Sequence, residues 1–227
     1  MKKLIKKLKL YGFFIKLRDI LRIFYNQKRR SRFFWTILGG DEAYLANFDF
    51  DNSAILFDVG AHRGAYTNRL NEKFNCNIYS FEPVKEYFDY VNNKFAKNEN
   101  VKVFNIGLMD LDGKESISNI EGSSSFFSRK EGEADIPVNI RSISNFLIEE
   151  RISNVDLMCI NIEGGEYRYL NDLITSGLVK KVNHLEIQFH NFVPNAKKLR
   201  KDLRMKLSET HKCNFNFPFI WERWDKK

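Results

Sequence analysis

Four short segments of this 227-residue sequence concentrate side chains that can do chemistry: Asp58-Val-Gly-Ala-His-Arg-Gly64, Tyr79-Ser-Phe-Glu-Pro83, Asn161-Ile-Glu-Gly-Gly-Glu166, and the alternation His184, Glu186, Gln188, His190. In the first, an apolar run ends in an acidic residue and two glycines, the pattern of a strand that turns sharply into a helix. Gly60 permits the turn, and Gly64 removes a Cβ where a ligand or a helix must come close. Asp58, at the strand end, can accept from turn amides or, through water, from a ligand ammonium group. The Gly60-x-x-x-Gly64 step departs from the GxGxxG spacing that sets a helix N-terminus against a pyrophosphate, so a dinucleotide is disfavoured. Glu82 follows Gly60 by 22 positions, near the ~20-residue offset at which an acidic side chain meets a ribose hydroxyl pair. Alone, Glu82 would read as a surface carboxylate beside a turn proline; with the glycine turn it reads as part of a nucleoside site.

The alternation of His184, Glu186, Gln188 and His190 with Leu185, Ile187 and Phe189 gives a presumed inner strand one polar face. A strand buried on both faces is expected to be nearly all apolar, so the polar face points to function. His190 comes last, nearest the carboxyl edge of the sheet. An imidazole with an ordinary pKa of ~6.5 is mostly neutral near pH 7 and competent as a base or a metal ligand. The competing reading is a hydrogen-bonded structural histidine. Glu163 likewise reads either as a reactive carboxylate or as a helix-start charge favoured by the dipole. Glu163, Glu186 and His190 together offer oxygen and nitrogen donors suited to a divalent metal such as iron, manganese or magnesium, although no His-x-His or HExxH spacing is present.

The elements that must position these residues alternate in the manner of an α/β fold with a mostly parallel central sheet flanked by helices. Strands are predicted at 54–59, 77–81, 101–106, 155–162 and 182–189, and helices at 66–74, 85–97, 143–151 and 166–176, with Gly177 as a helix stop. Residues 110–135 form a polar insertion, predicted as a hairpin around Asp112-Gly113 followed by a loop that covers the site. A basic helix over 195–210 and one or two closing strands complete the chain. Phe217, Phe219, Trp221 and Trp224 are expected to pack in the core, with sugar stacking as the alternative.

The formal charge of +8 is local: residues 1–50 hold 12 Lys and Arg against 4 Asp and Glu, while the remaining 25 basic and 25 acidic residues cancel. A basic stripe over the catalytic body, as a nucleic-acid enzyme would need, is therefore not expected. Residues 1–50 read as a basic amphipathic helical arm, with Leu10, Phe14, Leu17, Leu21 and Phe24 on one face, and residues 51–227 as the main domain. No uncharged run approaches the ~20 residues that span a bilayer, and the interrupting charges argue against a signal peptide. The arm is expected to lie on an anionic membrane surface or to mediate self-association. Three scattered cysteines without CxxC spacing suit a reducing cytoplasm.

ILFDVGAHRGAYT, YSFEP, VFNIGLMDLDGKES and VDLMCINIEGGEYRYL together resemble the FkbM family of class I methyltransferases, from about Ala54 to Phe192. Glu163, Gly164 and Glu166 match its fourth motif; Asn161 stands where that motif carries an aspartate. The resemblance implies a Rossmann-like fold and transfer of a methyl group from S-adenosylmethionine, commonly to a hydroxyl of a sugar or related natural product. On this reading the cofactor contacts are Asp58, Gly60, His62, Gly64, Tyr66, Thr67, Glu82, Asn105, Asp110 and Asn161. A hydroxyl must lose its proton as the methyl bond forms, so His190, Glu163 and Gln188 are the catalytic candidates, with Glu163, Glu186 and His190 as the metal set. The acceptor is expected to be a sugar or nucleotide sugar. The alternatives are an inactive membrane-associated scaffold, since fold does not guarantee activity, and, more remotely, a nicotinamide oxidoreductase.

Overall fold

The computed structural model describes residues 25–40, 48–120, 123–125 and 135–227. The expected apolar face of the arm, Leu10 to Phe24, lies outside the described residues, as do parts of the 110–135 insertion. Described residues up to Phe48, with Phe217–Ile220, form one compact unit; Asp49–Asn216 with Trp221–Lys227 form the other.

In the first unit, helix α1 (Gln27–Ile37) is capped by Asn26, whose side chain accepts from the Arg29 amide at 3.0 Å, satisfying one of the donors that a helix start leaves unpaired. Trp35 is buried and meets Phe217 edge-on at 5.4 Å. Gly40 lies so close to the indole that a Cβ there would fall 2.2 Å from it.

The second unit is built on a central sheet. In chain order its elements are β1 (Ile55–Val59), α2 (Ala65–Phe74), β2 (Asn77–Phe81), α3 (Lys85–Phe95), β3 (Val101–Phe104), β4 (Gly107–Met109), β5 (Gly113–Ile120), β6 (Ser123–Ser125), β7 (Asp135–Ser142), α4 (Ile143–Glu149), β8 (Val155–Ile160), α5 (Glu166–Thr175), a 3-10 turn (Leu178–Lys181), β9 (Val182–Ile187), α6 (Ala196–Leu207), β10 (His211–Phe217) and β11 (Trp221–Lys226). Among the described residues the central sheet runs β10-β11-β9-β8-β1-β2-β3. Its inner pairs are parallel, and β11 joins β9 antiparallel. This is the Rossmann-like α/β sheet that the resemblance implied.

Leu56, Phe57 and Val59 are buried because β1 is covered on both faces, as the middle of a parallel sheet must be. Val59 pairs with Phe81 on β2 and Ile160 on β8, and Ile160 pairs with Ile187 on β9, so four strands end level. The turns after them therefore converge on one edge, where ligands of open parallel sheets bind. β8 and β9 stop two residues before the predicted ends because their last residues belong to those turns.

A four-stranded sheet in the order β4-β7-β5-β6 lies beyond β3 in sequence. The hairpin expected at Asp112-Gly113 is absent: β4 pairs with β7, and β5 pairs with β7 and β6. Asp112 instead accepts from the Ser142 amide and the Asn145 side chain, both at 2.7 Å. Ile117, Val138 and Ile140 pack with Val84, Tyr87 and Met109 in a separate apolar cluster. Two closing strands, β10 and β11, are present, and buried Trp224 donates its indole N–H to Glu222 at 3.1 Å, a core use of that aromatic group.

Candidate functional site

The turn after β1 is held by contact rather than by flexibility. Gly60 has φ 91°, and a Cβ on it would lie 2.2 Å from the Asn161 carbonyl oxygen; only a glycine lets the β1 and β8 turns approach this closely. The amides of Gly60 and Ala61 both donate to the Phe81 carbonyl at 3.0 Å. His62 follows in left-handed backbone, φ 50°, and its amide donates to Glu82 Oε2 at 2.7 Å. Gly64, φ 69°, serves packing: a Cβ there would press to 3.2 Å on the methyls of Val91 in α3.

Asp58 lies beneath the turn, buried, accepting from Thr67 Oγ1 at 2.6 Å; that hydroxyl also meets Ser80 Oγ at 3.0 Å. Burial pushes the Asp58 carboxyl up to about 6, with Thr67 pulling the other way. Asp58, Thr67 and Gly64 therefore build the turn and do not line the cavity above it.

That cavity, of about 140 Å³, is lined by Gly60, His62, Glu82, Asn161 and Glu163 on its polar side and by Tyr87, Leu108, Met109 and Ile117 among its apolar walls. Glu82 accepts from the amides of Val84 at 2.9 Å and His62 at 2.7 Å. Burial nevertheless raises it to about 7, those amides opposing. Asn105 braces the end of β2, donating to the carbonyls of Glu82 and Pro83 at 3.0 Å each. Asp110 pairs with Arg168 at 2.7 Å, and Tyr66 donates to Glu186 at 2.9 Å. Asn105, Asp110 and Tyr66, read from the sequence as cofactor contacts, thus do not line the cavity.

Two buried atoms that do belong to lining residues have no hydrogen-bond partner: Asn161 Oδ1 and His62 Nε2. The His62 ring lies edge-on to Tyr87 with centroids 4.3 Å apart. Burial, then the Arg63 charge, holds its pKa below the usual histidine value, so it offers a neutral nitrogen. A buried polar atom without a partner costs roughly 1–3 kcal/mol, which a ligand can recover.

At the ends of β8 and β9 the structure brings Glu163 and His190 together and adds Glu166. His190 Nε2 lies 3.3 Å from Glu163 Oε2, and Nδ1 lies 3.1 Å from Glu166 Oε1. Glu166, fully buried in the first turn of α5, also accepts the His190 amide at 2.5 Å and the Gly164 amide at 2.9 Å. Tyr167 donates to the His190 carbonyl at 2.7 Å. Burial alone would lower the His190 pKa, but hydrogen bonds and charge from Glu163 and Glu166 outweigh it and raise the ring to about 9. The geometry speaks against the sequence-based expectation of a free, neutral imidazole base: both ring nitrogens of His190 face carboxylates, which favour its charged form. Glu163 is the member that lines the cavity, on left-handed backbone at φ 47°, a costly conformation for a side-chain-bearing residue.

The rest of the polar strand face is structural. His184 bonds Asp225 at 2.7 Å, and Glu186 is buried against Tyr66, burial holding its carboxyl well above the usual range despite the Tyr66 hydrogen bond and the nearby Arg223 charge. Polar side chains suit β9 because β11 beside it and α2 above it supply polar partners. Gln188 continues the strand ladder through its amide to Ile160 at 3.0 Å and does not line the cavity. The metal set Glu163, Glu186 and His190 is not assembled: both ring nitrogens of His190 face carboxylates, and among the described residues no group of three His, Cys, Asp or Glu side chains could hold a metal ion.

Sequence reasoning gave no role to Glu166 or Tyr87. Glu166 had a signal, an acidic residue three positions after Glu163 at a helix start; Tyr87 had none beyond its apolar spacing in α3.

The family model for the methyltransferase FkbM domain matches residues 58–217. A search of curated proteins finds no match. Among solved structures, a presumptive rRNA methylase from Clostridium thermocellum is similar with TM-score 0.54 and 11% identity, over 83% of this chain and 94% of that one. A presumptive methyltransferase from Streptococcus mutans in complex with SAH is similar at TM-score 0.48 and 10% identity, over 78% of this chain and 90% of that one. At 11% identity the likeness to the first of these is one of fold.

Proposed function

The chain belongs to the FkbM methyltransferase family, and from that membership we propose that it is an S-adenosylmethionine-dependent O-methyltransferase acting on a sugar hydroxyl, free on a nucleotide sugar or within a glycan precursor. The observation that carries this reading is Glu163, a carboxylate on left-handed backbone that lines the same cavity as Gly60 and Glu82.

The residues present fit the donor. Gly60 leaves a cradle that a Cβ would fill, Asn161 Oδ1 and His62 Nε2 are buried atoms awaiting partners, and Leu108, Met109 and Ile117 offer an apolar wall. Glu82 would hold the ribose hydroxyls through oxygen lone pairs left after its two amide bonds. When bound, S-adenosylmethionine supplies a methyl group already activated on a cationic sulfur, so the protein's task is mainly to place the acceptor oxygen in line.

The proton of the acceptor hydroxyl goes to Glu163. Glu166 and His190, both buried, are committed to each other and to backbone groups. Glu163 is the member of the three that lines the cavity, and general-base assistance of this kind is worth roughly 10²–10⁴ in rate. The sugar acceptor follows the acceptors common to the resembled family. Mass spectrometry of methyl transfer across nucleotide sugars and glycans tests it; transfer to RNA alone, with no sugar methylated, would overturn the acceptor class.

The basic arm supports docking on an anionic inner membrane face, with self-association as the other use. Each Lys or Arg near such a surface contributes about 1 kcal/mol. Among the described residues no helix is long and apolar enough to cross a membrane. Vesicle co-sedimentation that survives removal of residues 1–35 would sink the docking.

A further inference from the structure

Asn161 is held by its backbone in the cavity wall. Its amide donates to the Val59 carbonyl at 3.1 Å, and its own carbonyl presses on the space a Gly60 Cβ would need. The backbone on both sides of the side chain is thereby pinned to β1. The residue lines the cavity, and its Oδ1 is buried and bonds nothing in the protein. Leaving such an acceptor unpaired is costly in a finished core, so the position makes sense as one half of a contact with a ligand.

Its place along the cavity says which part of the ligand. Glu82, at the end of β2, marks the ribose end, and His62 is tied to Glu82 through its amide. Asn161 follows the last residue of β8, on the other side of β1, and Glu163 comes two residues later. Asn161 therefore stands at the reacting end, beside the group that takes the proton.

We propose that Asn161 is a donor-discriminating residue, whose Oδ1 faces the sulfonium centre of S-adenosylmethionine and favours the charged donor over its neutral thioether product. This rests on the donor part of the proposed function and not on the identity of the acceptor. An amide oxygen turns the negative end of a dipole to the cation and can accept from the polarised methyl C–H groups. Transfer breaks the sulfur–methyl bond and forms an oxygen–methyl bond. The bonding pair stays on sulfur, the hydroxyl proton goes to Glu163, and the positive charge that Oδ1 faced is gone. Asn161 then holds the product less well than the donor. A carboxylate at this position would attract the sulfonium more strongly but would itself be a nucleophile next to the methyl; the amide oxygen is a far weaker one.

Isothermal titration calorimetry of the full chain with S-adenosylmethionine and with S-adenosylhomocysteine tests this without any acceptor. For Asn161→Ala, donor affinity is expected to fall about fivefold, as loss of one or two weak C–H hydrogen bonds implies, while product affinity changes less than about twofold. For Asn161→Asp, nearly isosteric, the ratio of donor to product affinity is expected to rise by at least about fivefold as a dipole becomes a full charge. Equal losses of both ligands in the alanine variant would place the contact on a part they share and overturn the proposal, as would an unchanged ratio. If the alanine variant does not fold, the aspartate variant decides alone, an unchanged ratio being the overturning result. Wild-type protein that binds neither ligand would overturn the donor reading itself, a result distinct from binding both with a ratio Asn161 does not affect.

Discussion

His190 Nε2 stands 3.3 Å from Glu163 Oε2 and so ties the turn that ends β9 to the turn that ends β8. The pair divides the labour: the His190 ring holds the Glu163 carboxyl in place, and Glu163 lines the cavity. Loss of either member is expected to have a different signature.

Glu163→Gln keeps the size and much of the hydrogen bonding but cannot take a proton. Its kcat is expected to fall by roughly 10²–10⁴, with the dissociation constant for S-adenosylmethionine within a few fold of wild type. Steady-state kinetics beside calorimetry reads both numbers; near-wild-type turnover would remove Glu163 as the base.

His190→Ala leaves Glu166 fully buried with its charge partner gone. Breaking a buried ion pair from one side typically costs about 3–5 kcal/mol. Urea unfolding is expected to show a loss of that order together with lost activity, and a variant as stable as wild type would mean that the pairing contributes little.

The ligand-free protein is expected to lose stability as pH rises from acid towards neutrality. Asp58 and Glu82 are raised from 3.8 and 4.5 to about 6 and about 7 by burial, so the folded state binds their protons more tightly than the unfolded chain does. Their contribution is complete below about pH 4 and is lost as pH passes through the folded values. Melting temperatures between pH 4 and 8 measure the slope, and Glu82→Gln should flatten its upper part.

Gly60→Ala places a methyl where the Asn161 carbonyl already is, at 2.2 Å and at φ 91°. A destabilisation of at least about 1–3 kcal/mol is expected from the backbone conformation alone, with loss of donor binding because the β1 and β8 turns must part. Gly64→Ala, which meets movable Val91 methyls at 3.2 Å, should destabilise while leaving donor affinity nearer wild type.

Chelator is expected to leave methyl transfer unchanged, since both nitrogens of His190 are already turned to carboxylates and Glu186 is engaged with Tyr66. Activity lost to chelator and restored by one divalent ion would show that these groups rearrange around a metal.

The sheet and the glycine turn were legible in the sequence because their causes are local. Leu56, Phe57 and Val59 form an apolar run, and Gly60 stands where a turn needs it. Residues whose roles depend on distant partners were not. Tyr66, Asn105 and Asp110 lie next to site motifs, but their partners, Glu186, the β2 end and Arg168, come from elsewhere in the chain. His184 and Glu186 looked functional because a polar strand face is unusual in the middle of a sheet; Asp225 of β11 and Tyr66 of α2 account for it. His190 was found by its position at a strand end, but sequence spacing could not aim Glu166 at it beside Glu163. The second sheet was hard to read because its apolar residues, Ile117 within the 110–135 insertion and Val138 and Ile140 just after it, alternate with polar residues.

Strand β11 follows β10 in the chain but lies between β10 and β9 in the sheet. A growing polypeptide therefore cannot lay down this side of its sheet in order. Until β11 has emerged from the ribosome, the backbone of β9 presents an open edge of unpaired amides and carbonyls, and β10 has no neighbour to join. Exposed edges of this kind recruit strands from other chains. Chains stopped before Trp221 should thus accumulate in aggregates although the strands that carry the glycine turn, Glu82 and Glu163 have all been made.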